Sequence, residues 1–209
     1  VRGNSEEENT VRLLQHIATE AGFQTQFAYI DDIEFSPEEG IFYEDKNYEL
    51  WFKLIPWEDI ALEESDLAML LTNIIKNQKA IIFNPAYTLL FQSKGLLKIL
   101  WDLYPNHPLL LESSFEPLQG KKQVKKPVFG REGGSVSILD ENANDMETVT
   151  GDYDNHKMVY QAYTELPTDA QGQSYQAGVF YAYEACGLGF RKGGKILDNM
   201  SKFVGHIVQ

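Results

Sequence analysis

The central part of the chain contains the glycine-rich segment Lys125-Lys126-Pro127-Val128-Phe129-Gly130-Arg131-Glu132-Gly133-Gly134-Ser135-Val136. We expect one strand to end near Lys126, the chain to turn through the glycines, and a second strand to leave. Glycines at a turn let the backbone approach a phosphate closely, while Lys126 and Arg131 add positive charge. The helix that follows in Walker and dinucleotide-binding patterns is missing here. Two interpretations therefore stand, a phosphate-binding loop and an ordinary hairpin turn.

The surrounding part of the chain is predicted to be rich in strands. Alternating or apolar runs bounded by turn residues predict strands over 124–129, 135–138, 158–164, 175–184 and 189–196. Between the second and third of these strands, residues 140–154 are acidic and nearly free of large apolar side chains. We expect a mobile connection there.

The first half of the chain shows a different pattern, in which helices alternate with strands. Apolar spacing predicts helices over 5–21, 60–75 and 95–104 and strands over 25–30, 48–55 and 80–83. Ser5 and Glu8 have the spacing of a helix capping box. The pattern is typical of an α/β protein with a largely buried sheet. We therefore predict an α/β (α+β) fold, with an α/β portion over residues 1–112 and a strand-rich portion over residues 113–209.

The overall composition limits the classes of function. The 209 residues are 43% hydrophobic, enough to bury a core, and carry a formal net charge of −13. That charge argues against a nucleic acid or an anionic membrane as partner, because phosphates are repelled, although one nucleotide needs only a few local cations. No apolar run approaches the roughly 20 residues of a membrane-spanning helix, and the first residues lack the basic start and apolar core of a signal peptide, so we expect none.

Cysteine and histidine usage narrows the chemistry further. Cys186 is the only cysteine, so neither an intramolecular disulfide nor a thiolate metal cluster can form, and we expect a reducing, cytoplasmic location. The histidines at positions 16, 107, 156 and 206 show no metal-ligand or triad spacing, so no metal ligand is predicted in this chain. The chain begins at Val1 rather than at an initiator methionine, and we expect it to be part of a longer protein.

Lys94 lies at the predicted start of the third helix. The helix dipole disfavours a cation at this end by roughly several tenths of a kcal/mol. This unfavourable position of the lysine is consistent with an anion-binding role, in which Lys94 and the first N–H groups of the helix attract a phosphate. The alternative is an exposed lysine whose amine simply reaches solvent.

Two strand segments present further polar groups. Val159–Pro167 is either an ordinary sheet edge or a hinge whose backbone presents a donor and an acceptor to an adenine. Gln176 and Arg191 are expected on neighbouring strands of one hairpin. The forked guanidinium of Arg191 suits bidentate phosphate contact, and the alternative is a surface charge that pairs with Glu184.

Taken in order, these segments resemble the synthetase domain of the glutathionylspermidine synthase family, which has the ATP-grasp fold. The resemblance rests on Ser93 to Trp101, Lys126 to Gly134, Tyr160-Gln161 and Tyr175 to Arg191. It covers essentially the whole chain and is strongest from about residue 80 onward. Four motifs in the right order are far more specific than one, which favours the phosphate-binding interpretation of the glycine-rich segment.

The resemblance implies ATP-dependent amide formation, in which a carboxylate is phosphorylated and an amine then attacks the acyl phosphate. In the named synthase, the acid is glutathione and the amine is spermidine. By position, the resemblance implies nucleotide contacts at Lys94, Lys126, Glu132, Gly133, Gln161, Ala162, Tyr163, Thr164 and Gln176. It implies that Arg191 is catalytic and stabilises the transferring phosphoryl group. It also implies substrate contacts at Glu7 and Glu8, which helix capping explains equally well.

The resemblance further implies Mg²⁺, which the family binds with an Asp and a Glu-x-Asn stretch. That stretch has no counterpart in residues 1–209, so the ligands are expected upstream of Val1. This chain alone is therefore expected to be inactive and to bind ATP weakly. Residues 1–112 are the expected substrate (pre-ATP-grasp) portion, and residues 113–209 the ATP-grasp portion with its lid loop. The expected partners are ATP, a peptide-like or small carboxylic acid and an amine, with neither nucleic acid nor membrane.

Two other functions also fit the sequence. One is a nucleotide-binding module without ligase chemistry, which the missing metal-binding stretch favours. The other is a strand-rich interaction protein whose glycine-rich segment is only a turn. An ATP-dependent carbon–nitrogen ligase is the leading hypothesis.

Overall fold

The computed structural model describes residues 2–207. The chain divides after Leu89 into two compact units, residues 1–89 and residues 90–209. The division predicted near residue 112, between an α/β portion and a strand-rich portion, stays a prediction.

The first unit combines helices with two small sheets. Its helices and strands are α1 (Ser5–Glu20), β1 (Glu34–Ser36), β2 (Gly40–Tyr43), β3 (Lys46–Tyr48), β4 (Leu50–Trp51), α2 (Trp57–Glu63), α3 (Ser65–Lys76) and β5 (Ile81–Ile82). Short 3-10 turns occur at Ile30–Asp32 and Ala86–Thr88, and α4 (Leu89–Gln92) lies at the boundary. Strands β1, β2 and β3 form an antiparallel sheet in that order, and β4 pairs with β5 in parallel.

The core of the first unit joins α2 and α3 to the strands. Helical spacing puts Ile60, Leu71 and Ile74 on the apolar faces of these helices, and all three are fully buried. They belong to one apolar cluster with Ile41 of β2 and Ile82 of β5. Burying an aliphatic side chain of this size contributes about 1.5–3 kcal/mol. This cluster therefore fixes both helices on the strands.

The helix predictions for the first unit are confirmed with two corrections. The helix predicted over residues 5–21 is α1, but its N-cap is Asn4, whose side-chain oxygen accepts a 3.2 Å hydrogen bond from the N–H of Glu7. The capping-box prediction is wrong, because Ser5 is already helical. The helix predicted over residues 60–75 is divided into α2 and α3, because Glu64 leaves the helical region with φ −125° and ψ 57°.

The strand predicted over residues 25–30 is wrong, because this stretch joins none of the described sheets. Its alternating aromatic residues contact α1 instead. The ring of Phe27 lies 4.1 Å from the Arg12 guanidinium, and Tyr29 donates a 2.8 Å hydrogen bond to Glu8. The alternation that suggested a strand reflects this packing. The strands predicted over residues 48–55 and 80–83 shorten to the paired residues of β4 and β5.

The second unit consists of one long helix and two antiparallel sheets. Its elements are α5 (Gly95–Leu103), β6 (Ser113–Ser114), β7 (Gln123–Pro127), β8 (Val136–Leu139), β9 (Asp145–Val149), β10 (Met158–Ala162), β11 (Ser174–Ala182), β12 (Glu184–Gly193) and β13 (Lys202–Val204). One sheet has the order β6-β10-β7-β8-β9, and the other has the order β11-β12-β13. The helix predicted over residues 95–104 is confirmed, and each of the five strands predicted for this half corresponds to an observed strand, although β12 begins at Glu184 rather than at residue 189.

Strand β7 begins at a buried amide whose hydrogen bonds are satisfied. The Gln123 side chain accepts a 2.8 Å hydrogen bond from Leu118 N and donates to Leu118 O at 2.9 Å and Lys121 O at 3.1 Å. Buried polar groups with complete partners specify one arrangement of the chain. Gln123 therefore fixes the strand that delivers Lys126.

The connection over residues 140–154 is partly a strand, so the prediction of a mobile connection is wrong for β9. Strand β9 pairs with β8, and the hydroxyls of Ser137 and Thr148 are hydrogen-bonded at 2.9 Å. Most of β9 is exposed at the edge of the sheet. An edge strand with exposed side chains needs few apolar residues, which explains why the hydrophobic pattern did not reveal it.

The mixed α/β fold class is confirmed by these elements. Among the described residues, none of the helices combines the length and the apolar character that crossing a lipid bilayer takes.

Candidate functional site

A cavity of about 320 Å³ lies beside the glycine-rich loop (residues 128–135) of the second unit. All the residues to which the resemblance assigns nucleotide contacts line this one cavity: Lys94, Lys126, Glu132, Gly133, Gln161, Ala162, Tyr163, Thr164 and Gln176. They come from the start of α5, from β7, from the loop, from β10 with the two residues after it, and from β11, so the tertiary structure brings together residues that are far apart in the sequence. Arg191, the predicted catalytic residue, is not among the lining residues.

The rest of the lining is mainly apolar and includes Leu111, Val124, Pro127, Val136, Ile138, Leu166, Ile196 and Leu197. Sequence reasoning missed these residues because each is an ordinary strand or loop residue by pattern. A cavity that combines apolar walls with a few charged groups suits a ligand with a flat apolar part and an anionic part.

Lys94 holds the glycine-rich loop at two points. Its backbone N–H donates to Val128 O at 2.8 Å, and its ammonium group donates to Gly130 O at 2.6 Å. Lys94 occupies the N-cap position of α5 without a side-chain capping bond, and it is half-buried. The lysine therefore does not simply reach solvent, and it connects the start of α5 to the loop.

Gly133 combines a positive φ with surroundings that leave no room for a side chain. Its φ is 73°, and an added Cβ would lie 2.5 Å from Leu197 O. Two neighbours, Glu132 and Ser135, also have positive φ, at 56° and 58°. This conformation costs a non-glycine residue about 1–2 kcal/mol. The loop is therefore a strained, closely packed structure rather than a tight two-residue turn.

Lys126 belongs to a polar network that crosses three strands. Its ammonium group donates to Gln161 Oε1 at 2.7 Å, and the Gln161 amide donates to Ser113 Oγ at 3.2 Å. Burial, and to a lesser degree the charge of Lys94, lower the pKa of Lys126 to about 8. Because Gln161 is a neutral partner, an anionic ligand would be well placed to compensate the buried charge.

The proposed adenine hinge has part of its backbone already engaged. The N–H of Ala162 donates to Glu112 O at 2.8 Å, and the N–H of Tyr163 donates to Lys122 O at 3.0 Å. The Lys122 ammonium also lies 3.8 Å from the centroid of the Tyr163 ring. Any purine contact from residues 161–164 would therefore use their other backbone groups.

Arg191 lies opposite Gln176 in the β11–β12 pair, as the hairpin prediction stated. Its guanidinium donates to the carbonyl oxygens of Asp198 at 2.8 Å and Ser201 at 3.2 Å. Its Nε is buried and has no hydrogen-bond partner within residues 2–207. The side chain thus ties β12 to the segment before β13 and keeps one donor unused.

Lys195 lines the cavity and was missed by sequence reasoning. A strand was predicted through residues 189–196, whereas β12 ends at Gly193. The pair Gly193-Gly194 before Lys195 was the signal that could have found it, because it repeats the glycine and lysine composition of the glycine-rich segment.

Glu7 and Glu8 line a separate cavity of about 150 Å³ in the first unit. Glu8 accepts a 2.7 Å hydrogen bond from Arg12 and a 2.8 Å hydrogen bond from Tyr29, and these bonds, the Arg12 bond first, lower its pKa. Glu8 therefore has a structural role in holding α1. The predicted substrate contacts of both residues stay predictions.

Lys53, another residue that lines this smaller cavity, is almost completely buried. Its ammonium group donates to Ile55 O at 2.7 Å and lies 4.1 Å from the centroid of the Trp57 ring. Burial lowers the pKa of Lys53 to about 8, and the charges of Glu58 and Asp59 oppose this shift. No sequence pattern pointed to this lysine.

A metal-binding cluster is not found within residues 2–207, where no three His, Cys, Asp or Glu side chains are grouped to hold an ion.

The fold and the cavity define a mixed α/β protein of the ATP-grasp-like type. Over the whole of residues 1–209 the chain matches the family described as "Glutathionylspermidine synthase preATP-grasp", and it belongs to that family. The resemblance predicted from the four motifs is thereby confirmed.

Curated relatives carry ligase names. A putative acid–amine ligase of Haemophilus influenzae is 32% identical over 214 residues, which cover 96% of this chain and 53% of the relative. The bifunctional glutathionylspermidine synthetase/amidase of Escherichia coli is 27% identical over 100 residues, which cover 46% of this chain and 16% of the relative. The trypanothione synthetase of Crithidia fasciculata is 24% identical over 128 residues, which cover 60% of this chain and 20% of the relative. The chain thus spans about half the length of the first relative and a fifth or less of the others.

Proposed function

We propose that this chain is the nucleotide-binding portion of an ATP-dependent ligase that joins a carboxylic acid to an amine. The observation that carries the proposal is that all the expected nucleotide contacts line one cavity. The ligase names of the relatives support the reaction class. A cytoplasmic location belongs to the same proposal, and the single cysteine supports it.

The residues that line the cavity fit a nucleoside triphosphate. Lys94 and Lys126 would hold the phosphates, and Gly133 leaves the loop backbone free of a side chain where a phosphate would approach. The apolar walls would bury the base, with Gln176 and the segment 161–164 offering polar contacts. Mg²⁺ is proposed as the companion of ATP, with its ligands outside the described residues.

The proposed reaction has two substitutions. A carboxylate oxygen of the acid bonds to the terminal phosphorus of ATP as the bond to ADP breaks, which gives an acyl phosphate. The amine nitrogen then bonds to the acyl carbon, inorganic phosphate leaves, and the nitrogen loses a proton. Arg191 is proposed to stabilise charge on the transferring group, and its position opposite Gln176, which lines the cavity, supports this role.

The test is substrate-dependent nucleotide turnover by the complete enzyme. ADP and phosphate should be released only when an acid and an amine are supplied together, with glutathione and spermidine as the first pair tried. ATP analogues should also raise the thermal unfolding temperature. Failure of every analogue to protect the protein would count against any nucleotide site.

A second candidate function is a nucleotide-binding module without ligase chemistry. The observation that favours it is the lack of a metal-binding cluster within residues 2–207. This candidate predicts ATP binding with no ADP release for any acid and amine pair. The turnover assay therefore separates the two functions.

A further inference from the structure

We propose that Tyr153 is a positioning residue that holds the glycine-rich loop in the conformation that contacts phosphate. The inference rests on the proposed nucleotide site and adds a residue outside it. Tyr153 does not line the cavity, so it acts through the loop.

The aromatic ring of Tyr153 packs directly on two glycines of the loop. A Cβ built at Gly130 would lie 3.5 Å from Tyr153 Cδ2, and one built at Gly134 would lie 3.3 Å from Cε2. These distances place the ring in van der Waals contact with both positions, tightly at Gly134, while a Cβ at Gly130 would also lie 2.5 Å from Pro127 Cγ. Gly130, Gly134 and Tyr153 therefore form one packed face, and Pro127 closes it from the other side at Gly130.

Backbone contacts place the segment that carries Tyr153 along the whole loop. The Tyr153 N–H donates to Ser135 Oγ at 3.1 Å, where the loop ends, and the Val128 N–H donates to Lys157 O at 2.8 Å, where the loop begins. A Cβ at Gly151 would lie 2.8 Å from Gly134 Cα, so the two backbones are in close contact. Residues 151–157 thus contact both ends and the middle of the loop.

The loop needs such support because its own conformation is strained. Positive φ at Glu132 and Ser135 costs about 1–3 kcal/mol for each residue, and surrounding contacts must offset that cost. Lys94 supplies hydrogen bonds to Val128 and Gly130. Tyr153 adds van der Waals packing against the loop, which these hydrogen bonds do not provide.

The ring of Tyr153 is itself held in place. The His156 ring lies edge-on to it, with centroids 5.5 Å apart and an interplanar angle of 87°. The His156 N–H donates to Tyr153 O at 3.0 Å. The Tyr153 hydroxyl makes no hydrogen bond to any described residue. The aromatic ring, rather than the hydroxyl, is therefore the group that supports the loop.

The test compares Tyr153→Ala with Tyr153→Phe in titrations with ATP and with adenosine, which lacks phosphates. Loss of the ring should weaken ATP binding about tenfold or more, because the loop no longer holds its position, and should leave adenosine affinity unchanged. The Phe variant keeps the ring and should bind both ligands like the wild type. In turnover, Tyr153→Ala should raise the KM for ATP more than it lowers kcat.

Each outcome supports or overturns the inference. Wild-type ATP affinity retained in Tyr153→Ala would overturn the positioning role and leave the proposed function standing. Failure of the wild type to bind ATP would overturn the proposed function itself. Equal weakening of ATP and adenosine would assign Tyr153 to general structure and overturn the inference. If Tyr153→Ala does not fold, Tyr153→Leu and Ser135→Ala carry the same comparison, with thermal unfolding as the check on folding.

Discussion

The ammonium group of Lys126 in β7 donates a 2.7 Å hydrogen bond to the side-chain oxygen of Gln161 in the neighbouring strand β10. Gln161 is held in turn by Ser113 of β6. The partner of the buried cation is thus a neutral amide that cannot change its charge. The protonation of Lys126 is therefore sensitive to any anion that enters the cavity.

Nucleotide affinity is expected to fall as the pH rises through 8. The pKa of Lys126 is about 8 in the free protein, and a bound phosphate would raise it, so deprotonated protein must take up a proton to bind. ADP affinity should therefore decrease about tenfold between pH 7 and pH 9. Isothermal titration calorimetry in two buffers of different ionisation enthalpy measures both the affinity and the proton uptake. Lys126→Arg stays charged and should remove the pH dependence; a wild-type affinity that is constant across this range would contradict the prediction.

Substitution of Gln161 is expected to move the pH midpoint of ADP binding. Gln161→Glu places a carboxylate beside Lys126 and should raise its pKa, so the midpoint moves upward by about one unit or more. Gln161→Leu removes the hydrogen-bond partner and should move the midpoint downward. Gln171→Glu adds the same charge at an exposed position and should leave the midpoint unchanged. If both Gln161 variants shift the pH midpoint in the same direction, the contact between Gln161 and Lys126 does not determine the protonation of Lys126.

Gly133→Ala is expected to destabilise the protein more than Gly172→Ala. The two glycines have similar φ, 73° and 77°, but an added Cβ meets Leu197 O at 2.5 Å at Gly133 and meets nothing within 4 Å at Gly172. The free energy of unfolding should fall by about 1 kcal/mol for Gly172→Ala and by about 3 kcal/mol for Gly133→Ala. Urea titration measures both. Equal losses would show that the close contact with Leu197 is absent in solution.

Lys53→Met is expected to remove a pH dependence of stability. The pKa of Lys53 is about 8 in the folded chain and has its ordinary value of 10.5 when unfolded. The unfolded chain therefore binds more protons between pH 8 and 10.5, and stability from this residue rises across that window by about 2–3 kcal/mol. Below pH 8 the full cost of burying the charge is present.

The measurement for Lys53 is urea unfolding at pH 7.5 and pH 9.5. The stability advantage of Lys53→Met over the wild type should be largest at the lower pH, because a buried charge replaced by an apolar group is often neutral or stabilising. Lys76→Met, at an exposed helical position, is the control and should show no such change. A difference between Lys53→Met and the wild type that does not vary with pH would mean that Lys53 is not desolvated.

Arg191→Lys separates a structural role from a catalytic one. Lysine keeps the charge but cannot reproduce the paired hydrogen bonds to Asp198 O and Ser201 O. A structural role predicts a loss of about 1–3 kcal/mol in the free energy of unfolding with kcat unchanged. A role in phosphoryl transfer predicts a fall in kcat of about a hundredfold. Thermal unfolding and steady-state turnover of the same samples decide between them, and an unchanged variant would exclude both.

The secondary structure of the second unit followed closely from sequence, because its strands combine apolar or β-branched runs with glycine-rich or polar turns. Strands β6, β9 and β13 were not predicted, and β9 was missed because most of its side chains face solvent at an edge. Residues 25–30 were misread because Phe27 and Tyr29 alternate to contact charged residues of α1 rather than a sheet. Hydrophobic periodicity indicates which side chains are buried, but it does not identify the residues that bury them.

The candidate site was predictable where residue type and position are themselves unusual. Lys94 at a helix start and Lys126 beside a glycine-rich turn both conflict with ordinary local preference, and both line the cavity. Tyr153 has no such signal in its own segment, and Lys195 has only the glycine pair that precedes it. Their roles depend on what they face after folding, which spacing along the chain does not encode.

From its sequence alone this chain could be assigned a mixed α/β fold, a family, and the residues that were expected to converge on one cavity. Those properties follow from local patterns and from motifs in a fixed order. Folding was needed to show that Gln161 is the neutral partner of Lys126, that Arg191 contacts backbone carbonyls outside the cavity lining, and that Tyr153 packs on Gly130 and Gly134. The physical reason is that pKa values, loop strain and side-chain contacts depend on burial and on neighbours distant in sequence.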